Sequence, residues 1–245
     1  MTEKAIVLLS GGMDSVVALY WATHSPWAHE IHTLFIDYGQ RMNVQEKNRA
    51  RFIAERARSQ YPDKHKSFKT VTLPPACLAG PSSLLHRADV DKYETVADTI
   101  KPGHRDASYI PLRNGVFAAI AANHLLALDD SGGWIVSGMR GASAKAATGF
   151  ADGSEEFQSA LANAFSIGSR ASIVIVDPFG DDRTRVGALA LAEKLPGCWE
   201  ALSNSWSCFE SGVRPCGECL PCVRRKKAFA DFGKPDPAAG ELWEG

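Results

Sequence analysis

Ser10-Gly11-Gly12-Met13-Asp14-Ser15 follows an apolar run at residues 5–9 and precedes a helix-like stretch that begins at Val16. This order predicts a strand, a glycine turn and a helix. The two glycines allow backbone angles that a side chain would block, so successive N–H groups can point at one anion, and the following helix adds its positive end. We therefore expect a phosphate-binding loop at residues 10–15. An ordinary strand-to-helix turn of small residues is the alternative.

The loop at residues 10–15 lacks the lysine of the GxxxxGK[ST] motif, with which kinases and GTPases hold the β and γ phosphates. Its SGGMDS pattern instead resembles the pyrophosphate loop of the ATP pyrophosphatases. Enzymes of that class cleave ATP between the α and β phosphates and transfer AMP to a substrate. The resemblance implies that residues 10–15 bind ATP and that Asp14 helps to place magnesium.

Length and composition set broad limits on the fold and the partners. The chain has 245 residues, of which 45% are hydrophobic and 22% are charged, and its formal net charge is −1. These values predict one large domain with a small appendage. With the phosphate-binding loop, we expect a nucleotide-binding domain at residues 1–200 and a cysteine-rich C-terminal segment at residues 201–245. The near-neutral charge argues against nucleic acid and anionic membranes as partners. Without a signal-like or membrane-spanning apolar run, we expect a cytoplasmic protein.

Strand-like and helix-like stretches alternate along the chain. Apolar runs bounded by turn residues predict strands at residues 5–9, 31–36, 68–73, 134–137 and 173–176. Helical periodicity predicts helices at residues 15–23, 44–58, 114–128, 155–165 and 186–194. The alternation predicts an α/β fold with a doubly wound, mainly parallel five-stranded sheet. The resemblance of residues 10–15 to the ATP pyrophosphatase loop implies that this sheet is like that of the adenine nucleotide alpha-hydrolases. Ligands of such sheets lie beyond the carboxyl ends of the strands, where residues 10–15 and Asp37 are both expected.

Two irregular stretches follow strands of the predicted sheet. Residues 74–108 are rich in Pro, Gly, Ser and scattered charge, and a connection of that length inside a compact domain is usually functional. We interpret them as a lid over the substrate. Residues 139–154 are rich in Gly and Ala and are a candidate wall of the binding pocket.

Four cysteines crowd together near the C-terminus. Cys208, Cys216, Cys219 and Cys222 are separated by seven, two and two residues. Four thiolates suit a tetrahedral zinc ion and leave no open coordination position, so we predict a structural zinc site. A redox dithiol and an iron–sulfur cluster are the alternatives. The basic residues 224–227, on an expected helix, would partly offset the negative charge of the zinc cluster.

The phosphate loop and the cysteines occur together with further short motifs. These are DYGQR at residues 37–41, YIPLRN at 109–114, WSCF at 206–209, PCGECLPC at 215–222 and GKPDP at 233–237. Their order resembles that of the 7-cyano-7-deazaguanine synthase family of queuosine biosynthesis. The resemblance covers nearly the whole chain.

The resemblance implies a reaction in two ATP-dependent halves. ATP first adenylates the carboxylate of 7-carboxy-7-deazaguanine with loss of pyrophosphate, and ammonia then displaces AMP to give an amide. A second ATP activates the amide oxygen, and loss of AMP leaves the nitrile. Homologues of this type are expected to be homodimers.

The resemblance also implies a set of site residues. The predicted nucleotide-binding residues are Ser10, Gly11, Gly12, Met13, Asp14, Ser15, Asp37, Tyr38, Gln40 and Arg41, and the predicted substrate-binding residues are Arg113, Asn114, Gly138, Phe150, Asp152 and Phe157. We expect Ser10, Asp14, Ser15 and Arg113 to act in catalysis, with Arg113 neutralising phosphate or carboxylate charge. Helix capping by Asn114 and a surface ion pair of Arg41 are the alternative roles.

The sequence departs from the family pattern where the substrate should bind. Met42 replaces a histidine, and AATGFADGSEEF at residues 146–157 stands where the family has DYSGYPDCRPEF. Phe150, Gly153 and Ser154 thereby replace a tyrosine, a cysteine and an arginine. Two alternatives stay open: transfer of the adenylated acid to another amine, such as one on a protein or nucleotide, and a zinc-knuckle protein that modifies or binds RNA.

Overall fold

Five parallel strands form the sheet of this computed structural model, which describes residues 3–80, 82–85, 91–92, 108–139, 151–180 and 182–239. The strands are β1 (Lys4–Leu8), β2 (Glu30–Asp37), β3 (His65–Thr72), β4 (Gly132–Val136) and β5 (Ser172–Val176). The helices in these ranges are α1 (Met13–His24), α2 (Asn43–Gln60), α3 (Arg113–Leu128), α4 (Glu155–Ser169), α5 (Arg185–Lys194), α6 (Cys198–Leu202) and α7 (Leu220–Phe232). The predicted α/β class and parallel sheet are confirmed.

The order of the strands places a crevice beside the phosphate loop. Across the sheet the order is β3-β2-β1-β4-β5, so β1 pairs with β2 on one side and with β4 on the other. Val7 of β1 is in register with Thr33 of β2 and with Val136 of β4. Chain connections leave β1 and β4 toward opposite faces, and ligands of open α/β sheets bind at such a switch point. The loop after β1 therefore lies at the expected binding edge.

Both faces of the sheet are covered by helices. Ala5 and Val7 of β1 pack in one core with α1, α2, α5 and α7. Ile6 and Leu8, which alternate with them, pack in a second core with α3 and α4. A side chain such as Leu19, which has no exposed surface, contributes about 1.5–3 kcal/mol by burial. Continuous apolar strands at the centre follow from this two-sided burial.

The C-terminal segment packs directly on the nucleotide-binding part. The N–H of Trp206 donates to the carbonyl oxygen of Gly11 at 2.8 Å, and the Trp206 side chain is buried. Helix α7 packs against α5. The division at residues 200 and 201 stays a prediction.

Two of the basic residues 224–227 have acidic partners of their own. Arg225 is buried, and its guanidinium pairs with Asp236 at 2.6 Å and donates to Ser205 Oγ at 2.9 Å. Lys227 pairs with Asp231, one helical turn further on. A buried guanidinium needs such a partner. Partial compensation of the cysteine charge by residues 224–227 stays a prediction.

The remaining differences from the predictions are small. All five predicted strands and all five predicted helices occur, and α4 continues to Ser169 rather than ending at residue 165. The five-residue helix α6 was not predicted, because one turn and a half is too short to show periodicity. Most of residues 74–108 and 139–154 lie outside the described residues. Within the described ranges, no helix is both long and apolar enough to cross a membrane.

Candidate active site

The loop at residues 10–15, the phosphate cradle, curves around the start of α1 with its backbone. Gly11 has a φ of +80°, which is in the left-handed region that glycine favours. Gly12 caps α1 without a side chain, and Ser15 Oγ donates to its carbonyl oxygen at 2.8 Å. Ser10 Oγ lies 3.2 Å from Ser15 Oγ. Two hydroxyls and the amino end of α1 therefore converge, as an anion site requires.

Neighbouring backbone packs against this loop from two sides. A Cβ atom on Gly11 would lie 2.8 Å from the carbonyl oxygen of Glu46 in α2. One on Gly138, after β4, would lie 2.7 Å from the Ser15 nitrogen. Real Cβ atoms do not approach other atoms this closely, so only glycine fits either place. The position of the loop is thereby set by α2 and by the end of β4.

A cavity of about 480 Å³ opens above the phosphate loop. Pockets for small ligands and cofactors commonly have volumes of about 300–1,000 Å³. The cavity brings together most of the predicted site residues: Ser10, Gly12, Met13, Asp14, Ser15, Tyr38, Gln40, Arg113, Asn114 and Gly138 all line it. The predicted nucleotide and substrate residues thus meet at one place.

Gly11, Asp37 and Arg41 are predicted site residues that do not line the cavity. Gly11 packs against the backbone of α2, and Phe150 lies outside the described residues. Asp37 is buried and accepts hydrogen bonds from the Gly39 N–H at 3.1 Å and from Asn43 Nδ2 at 3.3 Å. Arg41 Nη2 pairs with Glu210 at 3.0 Å. Asp37 and Arg41 therefore brace the loop after β2, and a ligand role for either stays a prediction.

Asp152 and Phe157 contact the beginning of α3. Asp152 Oδ2 accepts from the Asn114 N–H at 3.1 Å and so caps the helix. A Cβ atom on Gly115 would lie 3.2 Å from the Phe157 ring. Capping of α3 by the Asn114 side chain, the alternative role predicted above, does not occur in this contact. The Asn114 backbone N–H donates, and the Asp152 side chain is the cap. Both residues hold α3, and with it Arg113, against the sheet.

Of the two arginines among the predicted site residues, Arg113 is the one that lines the cavity. Its guanidinium carbon lies 5.8 Å from the ring centres of both Tyr38 and Phe117, and Nη1 donates to the Tyr38 hydroxyl at 3.3 Å. Burial raises the pKa of Tyr38 to about 12, so its hydroxyl stays neutral. Leu112, just before it, has a φ of +53°, a strained conformation for a side-chain-bearing residue. The strain and the aromatic contacts fix Arg113 at the cavity.

Glu46 lines the same cavity and was missed at the sequence level. Gln40 Nε2 donates to Glu46 Oε2 at 3.0 Å. Burial raises the pKa of Glu46 to about 7, a shift that Asp37 reinforces, while the Gln40 hydrogen bond and the charge of Arg113 oppose it. In the sequence Glu46 is one of many charged residues in a polar helix. No sequence signal distinguishes it.

Gln40 joins the loop after β2 to α2. Its Oε1 accepts from the Tyr38 N–H at 2.9 Å, and its Nε2 donates to the Ile36 carbonyl oxygen as well as to Glu46. The amide is thus occupied within the protein, and nucleotide binding by Gln40 stays a prediction. Further cavity residues that sequence reasoning missed come mainly from the C-terminal half: Arg185, Trp206, Ser207, Phe209 and Arg224.

The four cysteines form one compact cluster. The ligand atoms of Cys208, Cys216, Cys219 and Cys222 all lie within 4.8 Å of one another. Three of the Sγ–Sγ distances are 3.4, 3.6 and 3.8 Å. Tetrahedral zinc with Zn–S bonds of about 2.3 Å separates its sulfurs by roughly 3.8 Å. The donor set therefore fits a closed, structural zinc site.

Backbone amides surround the sulfurs. The N–H groups of Glu210 and Cys216 donate to Cys208 Sγ at 3.2 and 3.3 Å, and the N–H of Cys219 donates to Cys216 Sγ at 3.3 Å. The close contacts of Cys219 with Cys208 and Cys222 lower the pKa of Cys219, and the contact with Cys219 raises the pKa of Cys208. The four sulfurs cannot all ionise at this distance without a cation, so the cluster is compatible with a structural metal ion.

Glu210 links three parts of the site. Its carboxylate pairs with Arg41 of the loop after β2 and, at 3.3 Å, with Lys92 of residues 74–108. Lys92 also forms an antiparallel bridge with Cys219. Leu84, Met42 and Phe209 belong to one small apolar cluster. The described part of the predicted lid thus contacts both the loop after β2 and the cysteine segment.

A family model described as "Queuosine biosynthesis protein QueC" matches residues 4–233. The chain belongs to the QueC family. Among the curated relatives of this QueC family member is the 7-cyano-7-deazaguanine synthase of Methanosarcina mazei, 31% identical over 98% of the chain and 99% of the relative. The 7-cyano-7-deazaguanine synthase of Chromobacterium violaceum is 32% identical over 96% of the chain and 92% of the relative.

QueC membership agrees with the geometry of the cavity. QueC is a PP-loop family, and family membership implies use of ATP. The lysine-free cradle at residues 10–15 has the form that such a family requires. The resemblance inferred from the motifs is confirmed, and the four-cysteine cluster is compatible with a structural metal in a QueC protein.

Proposed function

We propose that this QueC protein adenylates the carboxylate of 7-carboxy-7-deazaguanine with ATP and joins it to ammonia, giving the amide and then 7-cyano-7-deazaguanine. The observation that carries the proposal is the meeting of the phosphate cradle and Arg113 at one cavity in a chain whose relatives are named 7-cyano-7-deazaguanine synthase. A carboxylate is a poor electrophile because its oxygen is a poor leaving group. Adenylation converts that oxygen into the good leaving group AMP.

The phosphate cradle serves the first step. A carboxylate oxygen attacks the α phosphorus of ATP, the bond from the α phosphorus to the bridging oxygen breaks, and pyrophosphate leaves with that oxygen. Ser10, Ser15 and the first N–H groups of α1 face the cavity where the pyrophosphate would lie. Their donors stabilise charge that grows on the leaving group. Asp14, a hard oxygen donor at the same helix end, is the residue we assign to magnesium.

Arg113 neutralises the carboxylate before adenylation and the phosphate charge of the adenylate after it. Two anions must approach each other in the first step, so a fixed cation between them lowers the barrier. The aromatic rings of Tyr38 and Phe117 hold the guanidinium in place, and its planar shape suits a carboxylate or phosphate.

The second step joins nitrogen to the activated acid. Ammonia attacks the carbonyl carbon, a C–N bond forms, and the C–O bond to AMP breaks as nitrogen loses a proton. In the second round, the amide oxygen attacks another ATP, and loss of AMP and of the nitrogen protons leaves the nitrile. Both rounds release pyrophosphate and AMP at the same cradle, so one loop serves both.

A structural zinc would fix one wall of the site. It would supply a positive charge that binds four thiolates and holds residues 206–224 together. Trp206, Phe209 and Arg224 of that segment line the cavity. The cysteines therefore act on the reaction through the shape of the pocket.

A second candidate function is transfer of the adenylated acid to another amine, such as one on a protein. Gly153, where the family has a cysteine, lines the cavity without a side chain. Ser154, where the family has an arginine, uses its Oγ to cap α4 by accepting from the Phe157 N–H at 3.2 Å. These replacements remove a cation and leave space beside the cavity. RNA binding has less support, since Arg225 and Lys227 are paired with acidic residues.

Assembly and location complete the proposal. We assign the protein to the cytoplasm, where reduced cysteines are available for metal binding. We also assign it a homodimeric state, which light scattering after size-exclusion chromatography would measure. A monomer at micromolar concentration would contradict the assignment.

Isotope exchange tests the proposed function. Purified protein is incubated with ATP, magnesium, labelled pyrophosphate and 7-carboxy-7-deazaguanine, and acid-dependent entry of label into ATP is expected. Ammonium is then added, and mass spectrometry should detect the amide and the nitrile. Exchange without either product would favour the second candidate. No exchange with this acid would contradict both.

A further inference from the structure

Charged side chains of both signs line the cavity. Arg113, Arg185 and Arg224 line it together with the phosphate cradle, and these groups suit the anionic reactants ATP and carboxylate. Two carboxylates also line it, Asp14 at the start of α1 and Glu46 in α2. Asp14 has a proposed task at the phosphates. Glu46 has none among the anionic reactants, which it would repel.

One oxygen of the Glu46 carboxylate has a hydrogen-bond partner among the described residues. Its Oε2 accepts from Gln40 at 3.0 Å, whereas none of the hydrogen bonds among the described residues uses its Oε1. The residue is half-buried, and the cavity accounts for part of its remaining exposure. Its backbone carbonyl packs against Gly11, so the first turn of α2 is fixed relative to the phosphate cradle. One carboxylate oxygen is therefore available to a ligand.

We propose that Glu46 binds the incoming amine as a cation and removes its proton before attack on the adenylated acid. The proposal rests on the proposed function and assigns to it the base for the C–N bond-forming step. Apart from magnesium, ammonium is the one cationic reactant in that chemistry, and Glu46 offers the matching charge. The same contact would serve a primary amine in place of ammonium.

The step balances in atoms and charge. The Glu46 carboxylate takes one proton from ammonium, and the resulting ammonia keeps its lone pair. The lone pair attacks the carbonyl carbon, the C–N bond forms, and the C–O bond to AMP breaks with its electrons on AMP. The second nitrogen proton leaves with AMP or solvent water, and Glu46 returns its proton to solvent.

The ionisation of Glu46 suits this role. Burial raises its pKa to about 7, with Asp37 acting in the same direction and the Gln40 hydrogen bond and Arg113 in the other. Tyr38, which also faces this region, is neutral because burial raises its pKa to about 12. A base with a pKa near the working pH is both ionised and able to hold a proton.

The test uses Glu46→Gln, which keeps an acceptor for Gln40, and Glu55→Gln as a matched control. Glu55 lies on the same helix and is exposed. Two rates are measured for each protein: pyrophosphate exchange with 7-carboxy-7-deazaguanine, which needs no amine, and formation of amide plus nitrile at fixed total ammonium between pH 6 and about 9.

The expected result separates the two half-reactions. Glu46→Gln should exchange pyrophosphate within about twofold of the parent protein but form product about 100-fold more slowly at pH 7. The parent rate should level off above pH 7, whereas the rate of the variant should keep rising with the concentration of free ammonia. Its defect should thus shrink to about tenfold or less at pH 9. Glu55→Gln should match the parent in both assays.

Three results would overturn the inference. An equal loss of exchange and product formation would assign Glu46 to binding of ATP, magnesium or the acid. Unchanged product formation would show that Glu46 is not needed. A defect that stays constant from pH 6 to 9 would exclude proton removal. By contrast, a parent protein that fails to exchange pyrophosphate with this acid contradicts the proposed function itself.

Discussion

Gly138 leaves no room for a side chain beside Asp14: a Cβ atom there would lie 2.7 Å from the Asp14 carbonyl carbon. The residue follows β4, and Asp14 is in the first turn of α1, so two loops at the switch point of the sheet are in direct backbone contact. The phosphate cradle is therefore positioned by β4 as well as by β1.

Gly138→Ala should displace the cradle and lower pyrophosphate exchange by about 100-fold, because displacements of about 1 Å have effects of that size. Gly168→Ala is the matched control. A Cβ atom on Gly168, in α4, meets nothing within 4 Å. Equal exchange rates in the two variants would show that the contact at Asp14 does not position the cradle.

Arg113→Gln and Arg113→Lys should both lower the kcat/KM for the acid by about 100-fold, which corresponds to about 2.7 kcal/mol. Lysine should not rescue activity because it lacks the planar group that lies beside the rings of Tyr38 and Phe117. Steady-state kinetics with varied acid and with varied ATP would measure the change. Full activity of the lysine variant would mean that charge alone suffices.

Cys219→Ser should release the metal and lower the melting temperature by about 10 °C, which corresponds to about 3 kcal/mol or more. Metal content by mass spectrometry and thermal unfolding would be measured together. Cys77→Ser is the control, since Cys77 is exposed and outside the cluster. A variant that keeps one zinc per chain and its stability would contradict the four-ligand site.

Glu210→Gln should weaken the attachment of residues 91–92 and of the loop after β2 to the cysteine segment. Each partly exposed ion pair contributes up to about 1 kcal/mol, so stability should change little while the KM for the acid rises about threefold to tenfold. The effect on KM should be smaller in high salt. Glu218→Gln, in an exposed part of the same segment, should leave KM unchanged; an equal rise in both variants would exclude a specific role for Glu210.

Glu46→Gln should also change the dependence of stability on pH. The pKa of Glu46 is raised from 4.5 to about 7 in the folded protein, so the folded state binds more protons than the unfolded state between these values. The parent protein therefore loses stability as the pH rises from 4.5 to 7. Relative to the parent, the variant should gain about 2–3 kcal/mol at pH 8 and nothing at pH 4. Denaturant unfolding at both pH values measures the difference, and a gain that is independent of pH would contradict the raised pKa.

The fold could be predicted from the sequence because its signals are local. Strand β1, the glycine turn and α1 follow directly from an apolar run, SGGMDS and helical periodicity. The cysteine cluster likewise follows from the spacing of four residues of one type. In both cases, neighbouring residues in the chain are also neighbours in space.

The roles of several site residues could not be predicted because they depend on distant contacts. Glu46 reaches the cavity only because α2 packs against the cradle, and Arg225 is buried only because Asp236 folds back onto α7. Gln40 and Asp37 stand in a motif with the form of a ligand-binding loop, yet their side chains bind its backbone and α2. A short motif cannot distinguish a residue that contacts the ligand from one that shapes the loop.

The ion pair between Arg225 and Asp236 attaches the segment that follows α7 to a residue that lines the cavity. Arg225 also donates to Ser205, whose neighbour Trp206 is hydrogen-bonded to Gly11. The segment after α7 is thereby connected to the loop at residues 10–15. A shortened protein that stops at Phe232 would keep every cysteine and every helix but leave a guanidinium stranded in the interior. Affinity tags and fusion partners are therefore better attached beyond Asp236, with the native tail retained.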